Sequence, residues 1–401
     1  MSYKKIKNMT AAILLGCAVL SQSCTSWLDI TPEAQVNDKK IFSTPQGFKD
    51  VLNGIYITAS GEKLYANNLL FGFTDVLAQY YAIPDETHEF AQLAKYQYKD
   101  VNISPKIDEM WLELYFCIAN CNILLERLEE VGPDFFEDER TYYILHGEAR
   151  ALRAFFHFDL LRLFAPYDFS SEAKPAIPYV KEARPAIAPQ LTPAKFVEYA
   201  LEDVNAAIAL LKEDPILTGK DITGMDNGYL ANRNFHLNYY AAVGLKARIC
   251  LYAGNTKDAY DAANEVILAQ QNSDLFPWVK TEDITTTTIE LRDRTFSTEH
   301  LFAFNTNKLG EYIKGYFRET STPLISRILP AELYEPDDYR NALYEIYSGS
   351  ANVLTKFWQL ESVYVSSQGL VRPKRDRMPG IRIAEMYYIA TEALKDSNIG
   401  E

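Results

Sequence analysis

Carboxylate side chains are the residues of this sequence best suited to acid–base chemistry. Hydrolysis of a glycosidic bond, for example, needs two carboxylates that flank the bond at a defined separation. Neighbouring positions in the sequence do not establish such a separation, and solvated loops or helix N-termini explain the acidic clusters better. These clusters are Asp85-Glu86, Glu129-Glu130, Glu137-Asp138-Glu139 and Asp337-Asp338.

The histidines are scattered, and the sequence has none of the short motifs of known catalytic centres. It contains no nucleophile elbow, zinc-binding His-Glu-x-x-His, phosphate-binding loop or dinucleotide fingerprint. His157 lies in an aromatic run with Phe155 and Phe158, which favours a place in the core. The sequence therefore predicts no catalytic site. The other histidines are His88, His146, His236 and His300.

Cys24 could carry a different chemistry, a covalent bond to lipid. Three lysines precede an apolar run from Met9 to Leu20 that is too short to span a bilayer, and small residues then lead into Cys24. This pattern resembles a bacterial lipoprotein signal, in which lipid is attached to the thiol and cleavage follows just before it. Cys17 matches a similar pattern but lies inside the apolar run, whereas Cys24 ends it. An ordinary secretory signal is the remaining alternative.

The other cysteines predict neither a metal site nor a disulfide framework. Cys117 and Cys121 are four residues apart on a strongly helical stretch, where helix geometry hinders a mutual disulfide. No Cys-x-x-Cys motif occurs, and no histidine lies near them at zinc spacing. We expect both to be buried free thiols, and we predict no metal and no cofactor.

The composition is that of a globular protein with an acidic surface. Of the 401 residues, 48% are hydrophobic and 23% are charged. The net charge is −14, and removal of three signal lysines would bring the mature chain to about −17. This charge argues against nucleic acid and anionic lipid surfaces as partners. A neutral ligand such as a sugar is compatible with it.

Helical periodicity dominates the chain, so we predict a mostly α-helical fold. Helices are predicted from Thr44-Pro45 onwards and over 61–81, 107–131, 137–164, 192–211, 234–253, 256–269 and 381–395. The pair over 234–269 has the size of a unit in tetratricopeptide arrays. After residue 270 the helical period weakens, and short strands are predicted around 301–304 and 356–359.

Five motifs in a fixed order are the most specific feature of the sequence. The strongest runs from Gly147-Glu148-Ala149-Arg150-Ala151-Leu152-Arg153-Ala154-Phe155 to Arg162-Leu163-Phe164. The others are Cys24…Leu28-Asp29…Pro32, Trp111…Tyr115…Ile118…Asn122, Leu245-Lys246-Ala247-Arg248…Gly254-Asn255 and Pro379…Ile381-Arg382…Ala384-Glu385-Met386-Tyr387. In this order they resemble the SusD/RagB family, the surface lipoproteins of Bacteroidetes nutrient-uptake systems.

The resemblance implies a tetratricopeptide-like helical scaffold with an irregular, ligand-facing region that contains a few short strands. It implies a binding protein without catalysis, held at the outer membrane by acyl chains such as palmitate on Cys24 and exposed on the cell surface. The protein would capture an oligosaccharide, or less often a peptide, and deliver it to a SusC-like TonB-dependent transporter.

The same resemblance predicts how the chain is divided. Residues 1–23 form the signal, 24–270 the N-terminal helical region and 271–401 the C-terminal region. Family members continue beyond the last predicted helix with a partner helix, so we expect this chain to be truncated.

If the family's function applies, sugar capture needs aromatic rings for C–H surfaces and amide or carboxylate groups for hydroxyls. Scaffolded loops should supply these groups. The candidates after the second helical segment are Asp75, Tyr80 and Tyr81, and those in the irregular region are Trp278, Tyr312, Tyr316 and Trp358. We expect Trp111 to lie in the core. For the basic group Arg372, Lys374, Arg375 and Arg377 we favour a solvated loop over an acidic-ligand site or a transporter contact.

Two other functions stay open from the sequence. A secreted α-helical glycoside hydrolase would release reducing sugar and would lose that activity when one loop carboxylate is replaced. A periplasmic tetratricopeptide scaffold would be protected from protease added to whole cells.

Overall fold

A computed structural model describes residues 40–395 apart from several short gaps. The gaps are residue 84, 185–186, 220–227, 289–290, residue 307, 318–322, 328–329, 348–350, 358–362, 366–368 and 372–375. The chain divides after Gly47 into two compact units. The first is described only over 40–47, so the description below concerns the second. The signal, Cys24, Trp358, Arg372, Lys374 and Arg375 lie outside the described residues.

The body of the second unit is a stack of long helices, which confirms the predicted mostly helical fold. Helix α3 packs on α4, α4 on α5, α5 on α6 and α6 on α7, and α11 returns to pack on α7. In chain order the helices are α1 Pro45–Ala59, α2 Phe73–Leu77, α3 Ser104–Val131, α4 Glu139–Phe164, α5 Pro193–Leu210, α6 Tyr239–Tyr252, α7 Thr256–Asn272, α8 Thr281–Thr285, α9 Leu309–Phe317, α10 Pro330–Leu333 and α11 Ile383–Leu394.

Side-chain caps explain where several of these helices begin. Asp138 accepts a hydrogen bond from the backbone of Arg140 at the start of α4, and Thr192 accepts one from Lys195 at the start of α5. Asn238 and Asn255 cap α6 and α7 in the same way. Each cap satisfies a backbone N–H that has no partner within the helix.

The predicted helix over 61–81 is largely wrong. Residues 60–72 form a series of turns, and only the five residues of α2 are helical. The backbone N–H of Leu69 donates to Leu64 O, five residues back, which does not match the α-helical pattern. Four apolar residues of this segment are buried although it is not helical, namely Leu64, Tyr65, Ala66 and Phe71. The spacing of apolar residues in the sequence therefore reflects burial on several sides of the segment and not one buried face of a helix.

The strands form five antiparallel pairs among the described residues. They are β1 Tyr81–Ala82 with β5 Ile325–Ser326, β2 Ile177–Pro178 with β3 Gln190–Leu191, β4 His300–Asn305 with β10 Arg377–Arg382, β6 Tyr344–Tyr347 with β7 Ala351–Leu354, and β8 Val363–Val365 with β9 Gly369–Val371. The predicted strand at 301–304 is confirmed. Of the one predicted at 356–359, residues 356 and 357 form a turn after the strand that ends at Leu354, and 358–359 lie outside the described residues.

The β4–β10 pair contacts helix α6 of the stack. Asn238 at the start of α6 donates from Nδ2 to Leu301 O of β4 at 2.7 Å. On β10, a Cβ added to Gly380 would come within 2.6 Å of the Phe302 ring, so only glycine fits there. Because β10 takes residues 377–382 into a strand, the last helix begins at Ile383 and not at residue 381 as predicted.

The structure also confirms the predicted state of several core residues. Cys117 and Cys121 are buried free thiols, and burial raises the pKa of Cys117 to about 12. His157 is buried with its ring stacked on Tyr179 at 3.7 Å. Trp111, which we expected in the core, is instead only half-buried, with its ring edge-to-face with Phe164 at 5.0 Å.

The described residues contain neither a cluster of metal-binding side chains nor a helix suited to span a membrane. No group of three or more histidine, cysteine or carboxylate side chains in these residues could hold a metal ion. Within the same residues no helix is both long and apolar enough to cross a membrane.

Candidate functional site

A cavity of about 700 Å³ opens between the β4–β10 strand pair, the start of α11 and the loops around them. Ten of its described lining residues are aromatic, namely Tyr80, Tyr81, Trp278, Phe296, Tyr334, Tyr339, Tyr344, Phe357, Tyr387 and Tyr388. Four residues predicted from the sequence, Asp75, Tyr80, Tyr81 and Trp278, meet at this cavity. We call it the aromatic cavity.

Trp278 is the largest exposed ring of the aromatic cavity, with half of its surface open to solvent. Its ring packs at 5.3 Å and 46° against Tyr387 of α11. Gln270 connects the loop that carries Trp278 to Tyr387. Its Nε2 donates to Phe276 O, two residues before Trp278, at 2.8 Å, and its Oε1 accepts from the Tyr387 hydroxyl at 2.9 Å. On the other side, Val279 N donates to Glu299 at 3.2 Å. Both flanks of Trp278 are therefore held by the scaffold.

The opposite wall comes from α2 and β1. The Tyr80 side chain is 57% exposed, and its carbonyl accepts a hydrogen bond from Arg327 N at 2.9 Å. Tyr81 is buried, and its hydroxyl donates to Asp75 Oδ2 at 3.0 Å. Burial raises the pKa of Asp75, although Lys356 and the Tyr81 hydroxyl partly oppose the shift. The Tyr80 ring is thus exposed at the cavity, whereas the Tyr81 hydroxyl positions the Asp75 carboxyl group.

Backbone strain is concentrated around the aromatic cavity. Phe296 and Phe357 both line it in the left-handed region, with φ of +58° and +70°. Phe276, two residues before Trp278, and Gln79, directly before Tyr80, have φ of +52° and +61°. Bulky residues rarely adopt this conformation, and such strain persists only where the surrounding structure enforces it. It is found most often at functional sites.

Most charged groups of the aromatic cavity are already paired. Arg382 Nη2 donates to Glu299 at 2.7 Å, and its guanidinium lies 4.5 Å from the Phe296 ring centre. Arg248 holds Glu385 through two bonds of 2.6 and 2.7 Å. Two of the three lining carboxylates are therefore tied to arginines, which leaves no pair of free carboxylates among the described lining residues.

A second cavity of about 480 Å³ adjoins the first and shares Leu70, Asp75, Gly380 and Glu385 with it. Its wall includes the Asp159–Arg162 ion pair of α4. The Tyr65 hydroxyl donates to Asp159 at 2.5 Å. The two cavities therefore share part of their walls.

The other predicted site residues lie elsewhere. Tyr316 is half-buried, with its ring stacked on Phe90 at 5.6 Å and its hydroxyl accepting from Asn67 at 3.0 Å. Tyr312 is half-buried on α9 and does not line either described cavity. Trp358 lies outside the described residues. A ligand-binding role for these three stays a prediction.

Much of the tyrosine wall, and the one lysine among the described lining residues, could not be selected from the sequence. Tyr334, Tyr339, Tyr344, Tyr387 and Tyr388 all line the aromatic cavity, as does Lys356. The excess of tyrosine in the composition, 27 residues, is the signal that could have pointed to them. Because tyrosine combines an apolar face with a polar tip, it suits half-exposed surfaces of this kind.

Comparisons with known proteins agree with this architecture. A SusD-like family model described as "Starch-binding associating with outer membrane" matches residues 26–219. SusD-like protein P38 of Formosa agariphila is 24% identical over 275 residues, which is 67% of this chain and 47% of that protein. The chain therefore spans about half the length of this curated relative.

Solved structures share the fold at low sequence identity. A SusD superfamily protein of Bacteroides thetaiotaomicron superposes with a TM-score of 0.67 at 22% identity, covering 89% of this chain and 77% of that one. Surface glycan-binding protein A of Bacteroides fluxus gives a TM-score of 0.62 at 17% identity, covering 86% and 75%. At these identities the likeness shows the fold alone.

Proposed function

Because this chain belongs to the SusD-like family, we propose that it is a surface lipoprotein that binds glycans and delivers them to a SusC-like TonB-dependent transporter. Proteins of this family bind without catalysis. The family model's description associates it with the outer membrane, which supports that location for this chain.

The observation that carries the proposal is the aromatic cavity. Pyranose rings present flat C–H surfaces, and the exposed faces of Trp278 and Tyr80 are suited to stack on them. Asp75 and the tyrosine hydroxyls of the wall can bond the sugar hydroxyls. The volume of about 700 Å³ is ample for several sugar units of an oligosaccharide.

The hydrolase alternative is less well supported by the same cavity. A glycosidase needs one carboxyl group as acid and a second as base or nucleophile. Glu299 and Glu385 are each held by an arginine, so of the described lining carboxylates Asp75 alone has no ion pair at contact distance.

A binding panel tests the proposed function. The purified protein should retain at least one class of oligosaccharide on a glycan array, with no release of reducing sugar on prolonged incubation. A parallel peptide panel distinguishes the rarer peptide ligand. If the protein retains a peptide and no glycan, the proposal that its ligands are glycans is wrong. If reducing sugar appears and depends on Asp75, the hydrolase is correct.

The lipid anchor is a separate part of the proposal and has its own prediction. Cys24→Ala should abolish incorporation of labelled palmitate and release the protein from the membrane fraction, because the thiol that would carry the acyl chain is gone. Cys17→Ala is the matched control and should leave both unchanged. If Cys17→Ala instead abolished palmitate incorporation and membrane association, and Cys24→Ala left both unchanged, the lipid would be attached to Cys17. Digestion of the wild-type protein by protease added to whole cells would support display on the outer face.

A further inference from the structure

Lys356 is a cation in the wall of the aromatic cavity for which the described structure supplies no counter-ion. The side chain is half-buried, and its Nζ lies 4.5 Å from the centre of the Phe357 ring. No carboxylate of the described residues lies within ion-pair distance of it. Burial and the nearby Arg382 lower the pKa of Lys356, and Asp75 only partly offsets them. Burial of an ammonium group without a nearby counter-ion raises the free energy of the folded protein unless a partner compensates the charge.

The backbone holds Lys356 firmly in this position. On one side, Thr355 donates to Leu343 O from both its N–H and its hydroxyl, at 2.6 and 2.8 Å. On the other side, Phe357 is buried, has a φ of +70°, and donates from N to Arg294 O at 3.3 Å. The lysine therefore projects from a turn fixed at both ends, and a strained turn of this kind is more typical of a binding site than of a solvated loop.

The other charges of the cavity cannot neutralise it. Glu299 is bound by Arg382 and Glu385 by Arg248. Arg340 is paired with Asp338. The remaining carboxyl group, Asp75, accepts from Tyr81 and lies beyond ion-pair contact with the lysine. A ligand group placed between Asp75 and Lys356 would meet a hydrogen-bond acceptor on one side and a cation on the other.

We propose that the glycan bound here is acidic, with an oxyanion substituent that contacts the Lys356 ammonium while a neighbouring hydroxyl donates to Asp75. The substituent is the carboxylate of a uronic acid or a sulfate ester. This inference rests on the proposed function and narrows it from glycans in general to acidic ones. Contact with the oxyanion would provide the counter-ion that the cavity lacks.

The acidic character of the whole chain does not oppose this inference. The net charge of −14 is spread over a large surface, and its repulsion is screened beyond about 8 Å at physiological ionic strength. A contact between Lys356 and an oxyanion inside the cavity is screened far less. Binding should therefore be measured at physiological salt.

Matched oligosaccharides test the inference. The acidic probes are oligogalacturonate and a sulfated galactan oligosaccharide, and the neutral probes are their methyl-esterified and desulfated forms. The wild-type protein should prefer at least one acidic probe over its neutral form. Lys356→Gln should lower affinity for that acidic probe roughly tenfold, as loss of a charge-assisted hydrogen bond predicts, and should leave the neutral form within about twofold.

Two further variants complete the test. Lys356→Arg keeps the charge and should retain the preference, whereas Lys308→Gln, at an exposed lysine outside the cavity, should bind as wild type. Lys356→Gln should keep the wild-type melting temperature, because no described ion pair is lost. If the wild-type protein binds neutral and acidic probes equally, or if Lys356→Gln keeps the preference, this inference is wrong and the glycan-binding function stands. If no glycan binds, the proposed function itself fails.

Discussion

Arg233→Met is expected to lower the free energy of unfolding by about 3–5 kcal/mol, because it leaves buried carboxylates without their counter-ion. The Arg233 side chain is fully buried. It donates to Glu148 at 2.5 Å and holds Asp214 with bonds of 3.0 and 2.7 Å. Methionine has a similar volume, so the loss would come from the uncompensated charge and not from a large void. Denaturant unfolding followed by circular dichroism measures it.

The pH dependence of the same variant distinguishes lost charge from lost packing. Burial alone would raise the pKa of Glu148, but Arg233 and His236 outweigh it and lower that pKa to about 2. In the wild type, Glu148 therefore contributes stability that is complete above its usual pKa of 4.5 and is lost as the pH falls towards 2. In the variant, burial is opposed by His236 alone, so we expect the pKa of Glu148 to rise and its protonation to relieve the destabilisation.

The difference in stability between the wild type and Arg233→Met should consequently shrink as the pH falls from 7 to about 4. Arg184→Met is the matched control, because its side chain is 79% exposed and its ion pair with Glu182 is 3.6 Å long. It should unfold as the wild type does. A pH-independent loss in Arg233→Met would mean that packing, and not charge, accounts for the effect.

Elements with local signals were predictable, and elements that depend on distant partners were not. The start of α5 follows from Thr192 and Pro193, whose cap and first-turn roles involve only adjacent residues. Strand β10 was missed because the residues it pairs with on β4 are 72 to 82 positions away in the sequence, and the tertiary pairing decides its conformation. The segment over 61–81 was misassigned because burial from several sides imitates a helical period.

The candidate site shows the same limit. Asp75, Tyr80, Tyr81 and Trp278 could be selected from loops by residue type, and they do meet at one cavity. Tyr387 could not be selected in this way, because it falls within the apolar helical pattern of α11, and that pattern predicts a residue that packs against other helices. Lys356 could not either, because its importance depends on which carboxylates are already paired, and that is a property of the folded protein.

Trp278→Ala is expected to weaken binding of the cognate glycan roughly 30-fold, which corresponds to the ~2 kcal/mol that loss of a central aromatic anchor costs. The ring is half-exposed in the free protein, and its position is set by Tyr387 and by the loop bonds of Gln270 and Glu299. A ring held in this way loses little conformational freedom when a ligand stacks on it, so most of the stacking energy contributes to affinity. Isothermal titration with the glycan selected by the panel measures the effect.

Tyr98→Ala is the control for Trp278→Ala, because the Tyr98 ring is 47% exposed, close to the 50% of Trp278, and does not line the aromatic cavity. Tyr98→Ala should bind the glycan as the wild type does.

Trp278→Ala should keep the wild-type melting temperature to within a few degrees, since half of the ring is already in water. Wild-type affinity in folded Trp278→Ala would remove this ring from the glycan site. An equal loss in Tyr98→Ala would show that the effect is not specific to the cavity. A loss confined to Trp278→Ala would place the glycan on the wall of the cavity formed by Trp278, which Gln270 of α7 and Tyr387 of α11 hold in position.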